Sequence, residues 1–332
     1  MKDIKKALIL ISPIFVGLGA LFFGAYSIDP HLVGKILINE IIHLSDLKDT
    51  PEKAIVLDIR LPRVLLSATV GAYLSGSGVV LQAVFRNPLV DPFILGISAG
   101  AAFGCSITIG FLSFFPIQIM AFLFSLVAVF SAYIIAKTGG DVSRLSLVLS
   151  GVVVSAFFTA LVSIVKFLVD PHKLQSIVYW LMGSFSLSNW RYFKISLLGL
   201  PAIFPLFLMR WRLNIISMGD EEAKALGIDV KKERIIFILL SSFLAAIATS
   251  ICGIIGWIGL MVPHLVRMIV GPDHRDLFPL SLTFGASFMI AADTFSRTIT
   301  RFDIPVGIIT ALSGAPFFVY LMRKTKREVW SA

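Results

Sequence analysis

The feature that most limits how this sequence can fold is a succession of apolar runs about 20 residues long, the length a helix needs to cross a hydrocarbon core of about 30 Å. Breaking the chain at charged and Pro/Gly-rich punctuation yields ten of them, over residues 7–26, 64–83, 93–112, 117–136, 145–167, 193–209, 235–251, 254–269, 277–295 and 305–322. Within lipid the backbone must satisfy its own hydrogen bonds, so runs of this length become helices; a barrel needs shorter strands that alternate apolar and polar residues. The expected fold class is an all-α polytopic membrane protein with about ten transmembrane helices. Composition agrees. Of 332 residues, 57% are hydrophobic and 15% charged, against roughly half and a quarter in a soluble domain.

Lys2, Lys5 and Lys6 precede the first run, as in a signal peptide, but its length and the lack of a small-x-small cleavage site read as a retained helix. An even number of spans puts both termini on one side. That side carries 18 of the 29 lysines and arginines, which makes it cytoplasmic by the positive-inside rule. Topology therefore explains the formal charge of +9, and no nucleic-acid partner is needed. The chain holds no G-x-x-x-x-G-K-S/T phosphate loop, so any nucleotide energy must come from a partner.

Small residues cluster in "GAYLSGSG" (71–78), "GISAGAAFG" (96–104), "GIIGWIG" (253–259) and "GASFMIAAD" (285–293). In lipid such faces let backbones approach closely. Breaks at Pro88, Pro92, Pro263, Pro305 and Pro316 suggest interrupted helices, which membranes tolerate where the backbone is buried or lines a cavity. Cys105 and Cys252 lie in apolar stretches and read as small buried hydrophobes. In "RNPLVDP" (86–92), Asn and Pro suit a capped turn between two helices. His264 and His274 have no third ligand at suitable spacing, which argues against a metal site.

Against this background the strip "GDEEAKALGIDVKKER" (219–234) stands out as polar and helix-prone. Asp220, Glu221 and Glu222 suit a first helical turn, Ala223 and Leu226 are expected to share one face, and Gly227 can stop the helix. Such a helix suits a partner's groove; a membrane-surface helix or a plain connector is the other reading of the same residues.

Four separated motifs carry a resemblance over nearly the whole chain: "RLPRVLLSATVGAYLSGSGVVLQAVFRNPLVDPFILGISAGAAFG" (60–104), "YWLMGSF" (179–185), "GLMVPHLVRMIVGPDHRDLFPLS" (259–281) and "DIPVGIITALSGAPFFVYLMRK" (303–324). In them the chain resembles the FecCD family, the permease subunits of bacterial and archaeal ABC importers for iron-siderophore, haem and vitamin B12. The resemblance implies a type II ABC importer permease architecture, with residues 1–332 as a single transmembrane permease domain and 217–229 as its cytoplasmic coupling-helix segment. It implies a homodimer with the pathway at the interface, two copies of an ABC ATPase subunit, a solute-binding protein, and a place in the prokaryotic plasma or inner membrane. ATP and Mg would sit on the ATPase, leaving this chain without a cofactor and not itself an enzyme.

Residue by residue, the resemblance assigns ATPase coupling to Gly219, Glu221, Ala223, Leu226 and Gly227, through the pattern "E-x-A-x-x-L-G". It assigns binding-protein docking to Arg60, Arg63 and Arg297, with Arg301 nearby; interfacial anchoring is the plainer reading of these arginines. It assigns a cytoplasmic gate to Val142 and Ser143 in "GGDVSR" (139–144), where a bland loop is the alternative. Asp303 stands where the family usually has Glu, and Trp257 where Phe is common, changes that bear on substrate fit. The cargo is expected to be an iron chelate, haem, corrinoid or oxyanion. An ion-coupled secondary transporter would instead place carboxylates at mid-span, and a membrane enzyme would need a convergent catalytic set; the sequence offers neither.

Overall fold

Residues 2–42, 50–137, 143–300 and 302–330 are described in the computed structural model of the chain, and among them the regular elements are all helical. Ten helices correspond to the ten runs: α1 (Lys2–Phe22), α2 (Leu61–Phe85), α3 (Ile97–Phe111), α4 (Ile117–Lys137), α5 (Arg144–Leu168), α6 (Leu200–Met218), α7 (Val230–Cys252), α8 (Ile258–Val270), α9 (His274–Ser296) and α10 (Val306–Trp330). Side chains place their starts. Ser143 Oγ accepts from Ser146 N at 3.0 Å to cap α5, and Asp229 and Asp273 cap α7 and α9 in the same way.

The centre of the protein is the pair α2 and α9, flanked by α7 and α8. Ser75 Oγ on α2 donates to Ser281 O on α9 at 2.7 Å, and Gly71 and Gly78 lie directly against the carbonyls of Gly285 and Gly259. The small-residue stretches are thus contact faces between helices, as their composition requires. By contrast α1, α4, α5 and α6 keep much of their apolar surface uncovered, with Phe15, Phe130, Phe157 and Phe204 all exposed, as suits lipid or a second subunit.

At 13 residues α8 is too short to cross alone. At the break between α7 and α8, Gly253 N donates to Thr249 O at 2.9 Å and Cys252 O accepts from Ser184 N at 2.8 Å, while Gly307 N donates to Gly183 O nearby at 3.2 Å. Gly183 and Gly253 adopt φ of 68° and 75° here, a region costly for other residues. The prolines behave in two ways. Pro88, Pro92 and Pro305 do fall between helices, whereas Pro263 and Pro316 lie inside α8 and α10. Pro263 leaves Gly259 O without its helical donor, and Gln82 Nε2 takes that place at 3.2 Å. On the side away from the 219–234 strip, short helices Pro30–Ile42 and Pro171–Leu181 flank the bundle.

Candidate functional site

The 219–234 strip folds into a short loop helix, Asp220–Ala225, between α6 and α7. Gly227 ends it at φ 79°, with Ile228 N bonded to Ala223 O at 3.0 Å and Gly227 N to Lys224 O at 2.9 Å, the paired bonds of a glycine C-cap. Gly219 is buried in extended backbone, and its carbonyl accepts from Ala223 N at 3.1 Å. Ala223 and Leu226 differ in burial. Ala223 is fully buried against the chain's own helices, while Leu226, whose N still bonds to Glu222 O at 3.1 Å in the last turn, is 61% exposed. Glu221 and Glu222 are exposed beside it.

Asp220, which sequence reasoning gave only a place in the first turn, holds the loop helix to the membrane helices. Its Oδ1 accepts from Arg86 Nη2 at 2.6 Å and from Arg144 Nη2 at 2.8 Å, and its Oδ2 from Arg234 Nη2 at 2.8 Å. These arginines come from the end of α2, the start of α5 and the start of α7. Partial burial alone would raise the Asp220 carboxyl, but the hydrogen bond and charge of Arg234, with the charges of Arg144 and Arg86, outweigh it and hold it below its ordinary value. Arg86 also donates through Nε to Ile216 O at 2.8 Å, tying α2 to the end of α6. Its backbone sits at φ 51°, strained for a non-glycine residue and fixed by this double clamp. Asn87 and Asp91 make the turn expected of "RNPLVDP", accepting from Leu89 N at 2.9 Å and Phe93 N at 2.8 Å.

At the opposite end, Arg60, Arg63 and Arg297 are buried, with relative exposures of 3%, 7% and 4%. Arg63 grips Asp293 through Nε and Nη2 at 2.9 to 3.1 Å and reaches Asp303 Oδ2 through Nη1 at 2.6 Å. Arg60 donates to Leu21 O at 2.8 Å and to Tyr26 O, and Arg297 to Ala20 O at 2.7 Å. The guanidinium forks point inward, fastening the end of α1 to α2 and α9. Arg301 and Val142 lie outside the described residues; Ser143 is the exposed cap of α5, next to Arg144. Among the described residues no cluster of His, Cys, Asp or Glu is arranged to hold a metal ion.

A bundle of ten apolar helices, with a polar loop helix locked beneath it, defines a polytopic membrane protein. The chain belongs to the FecCD transport family, which it matches over residues 10–324. It is 42% identical over 327 residues to the "Probable iron chelatin transport system permease protein" of Helicobacter pylori, covering 97% of this chain and 99% of that one. It is 39% identical over 325 residues to the molybdate import system permease protein MolB of Haemophilus influenzae, covering 96% and 94%. A solved metal-chelate type ABC transporter in an inward-facing conformation superposes with a TM-score of 0.87 at 36% identity, covering 97% of this chain and 99% of that one. The chain is thus a multi-span permease of the ABC transporter class.

Proposed function

We propose that this chain is the membrane-spanning subunit of an ATP-driven importer that moves a metal chelate from a solute-binding protein into a prokaryotic cytoplasm. Two copies of the chain enclose the pathway, and two ATPase subunits, which carry ATP and Mg, dock from the cytoplasmic side, where both termini lie. The observation that carries this reading is the loop helix. It presents Leu226 and the acidic pair Glu221 and Glu222 outward, while Asp220 joins it rigidly to α2, α5 and α7. An apolar side chain on an acidic rim suits a groove in a partner, and the three-arginine anchor suits a lever that transmits motion.

Exposed Leu145, Leu149, Val152 and Phe157 on α5 support a second copy at that face. The arginine knot of Arg60, Arg63 and Arg297 holds in place the outer surface that a binding protein meets, and at the cytoplasmic end Val142 and Ser143, just before Arg144 in sequence, form the gate. A cargo from the iron-chelate class fits the Helicobacter relative, and an oxyanion fits the Haemophilus one. An ion-coupled carrier would need an available carboxylate in mid-membrane, whereas Asp293 lies near the outer end of α9 and is clamped by Arg63. The test is co-purification with the candidate ATPase, followed by ATP hydrolysis in liposomes with loaded binding protein. Hydrolysis stimulated by the loaded protein is the expected result, and a stable chain that recruits no ATPase overturns the reading.

A further inference from the structure

A groove of about 620 Å³ opens on the flank of the bundle between α4, α7 and the short helix Trp190–Ser196 that leads into α6, at the end away from the 219–234 strip. That is within the range of small-molecule sites, which is about 300–1,000 Å³. Its floor is apolar. Phe122 on α4 and Phe243 on α7 meet there edge to face, with ring centroids 5.6 Å apart, and Ile195 stands beside them. Its rims are apolar as well, yet uncovered: Ile119 is 52% exposed, Leu123 47% and Leu198 62%. Along α7 the groove runs from Ser250 to Phe243, about 10 Å at the rise of an α-helix.

The mouth has a different chemistry. Gln118, at the start of α4, and Arg191 and Tyr192, at the start of the short helix, lie where the bundle meets water. Lys194 follows Arg191 one turn along the same helix, close enough to share a ligand. Both cations are exposed, and among the described residues neither side chain bonds to or pairs with another group of the chain. The Tyr192 hydroxyl accepts from Gln118 Nε2 at 3.1 Å, which leaves its own proton to donate. Snorkelling accounts for cations at a membrane boundary, but not for an open trough beneath them.

We propose that this groove binds one anionic phospholipid, with its phosphodiester on Arg191 and Lys194, Tyr192 donating to it, and an acyl chain laid over Phe122 and Phe243. A planar guanidinium can hold two phosphate oxygens at once. A water-soluble anion would use the mouth and leave the trough empty, and a lipid without net charge would fill the trough and leave the cations unmatched. The occupant that satisfies both ends is an amphiphile with a negative head. This site is independent of what the chain transports.

The test titrates the full-length chain, purified in mild detergent, with dioleoyl phosphatidylglycerol and counts bound lipid by native mass spectrometry. The first phosphatidylglycerol is expected to bind at least about tenfold more tightly than dioleoyl phosphatidylcholine, which has the same tails and no net charge. Replacing Arg191 and Lys194 together by Ala lowers the phosphatidylglycerol affinity about tenfold and abolishes the preference. Leu123→Trp, which narrows the trough and leaves the cations in place, lowers it about threefold or more. All three positions are exposed or half-buried, so the fold is retained and a monodisperse chain verifies it. Free sn-glycerol 1-phosphate, the head without the tails, does not compete. Equal binding of the two lipids, unchanged affinity in either variant, or competition by glycerol phosphate each overturns the proposal.

Discussion

Arg144, the first residue of α5, and Asp220, the first residue of the loop helix, are joined by a 2.8 Å hydrogen bond across 76 positions of sequence. With Arg86 and Arg234 on the same carboxylate, this makes one side chain the junction of four segments. In the proposed coupling role, this link would pass a motion of the loop helix to α2, α5 and α7 together.

Replacing Asp220 by Asn removes the charge while keeping the size. The ATPase still docks through Leu226, yet cargo moved per ATP hydrolysed falls at least about tenfold, with Asp220→Glu restoring most of it. The stability loss is small, about 1 kcal/mol, because the carboxylate is 36% exposed and screened by water. Transport and hydrolysis measured on the same liposomes give the ratio; an unchanged ratio in Asp220→Asn contradicts the lever.

The hub also has a pH signature. Its arginines hold the Asp220 carboxyl below the ordinary aspartate value of about 3.9. A depressed carboxylate contributes stability that is fully present above its unfolded value and is lost as pH falls through its folded value. The junction is therefore intact at neutral pH and loosens only in acid below about pH 4. Hydrogen exchange of the bonded amides of Ser146 and Leu147 at the start of α5 should stay slow from pH 7 to 5 and lose protection below 4, after correction for intrinsic rates. Loss of protection near pH 6 would assign the control to another group.

Part of this arrangement is legible in the sequence and part is not, for physical reasons. The ten helices were legible because apolar run length is a local property, and so was the stop at Gly227. Asp220 was not, since in the run Asp220, Glu221, Glu222 three acids look alike and the arginines that single one out lie 134, 76 and 14 positions away. The inward turn of Arg60 and Arg297 depends on carbonyls at Leu21 and Ala20, which any residue would supply. Ala223 and Leu226 read alike as apolar residues three positions apart, and only the tertiary contacts bury one and leave the other exposed. Pro263 inside α8 is tolerated because a glutamine on another helix, Gln82, replaces the lost donor.

The outer knot predicts a stability effect rather than a docking effect. Asp293→Asn leaves Arg63 buried without its bidentate partner, and breaking such a pair costs about 3–5 kcal/mol. Thermal unfolding in detergent should show a large drop in midpoint and a lower yield from membranes. A midpoint within a degree or two of the parent would mean that the pair is dispensable.

Close packing makes a contrast between glycines. A methyl group at Gly78 would overlap the Gly259 carbonyl, whereas one at Gly34 meets nothing within 4 Å. Gly78→Ala should destabilise by about 1–3 kcal/mol through overpacking. Gly34→Ala, in the helix Pro30–Ile42, should be neutral or stabilising by about 0.4–1 kcal/mol. The same unfolding assay compares them, and equal effects would contradict the tight α2–α8 contact.

The most direct measurement is transport by the chain carrying Leu226→Asp, co-expressed with its ATPase and reconstituted with loaded binding protein. Leu226 is the large exposed apolar residue at the end of the loop helix, and a charge there opposes entry into an apolar groove. The account predicts that the ATPase is lost on purification, or is retained without driving transport, while the variant itself folds as well as the parent. ATPase retention together with transport at the parental rate would show that the loop helix is not where the energy enters.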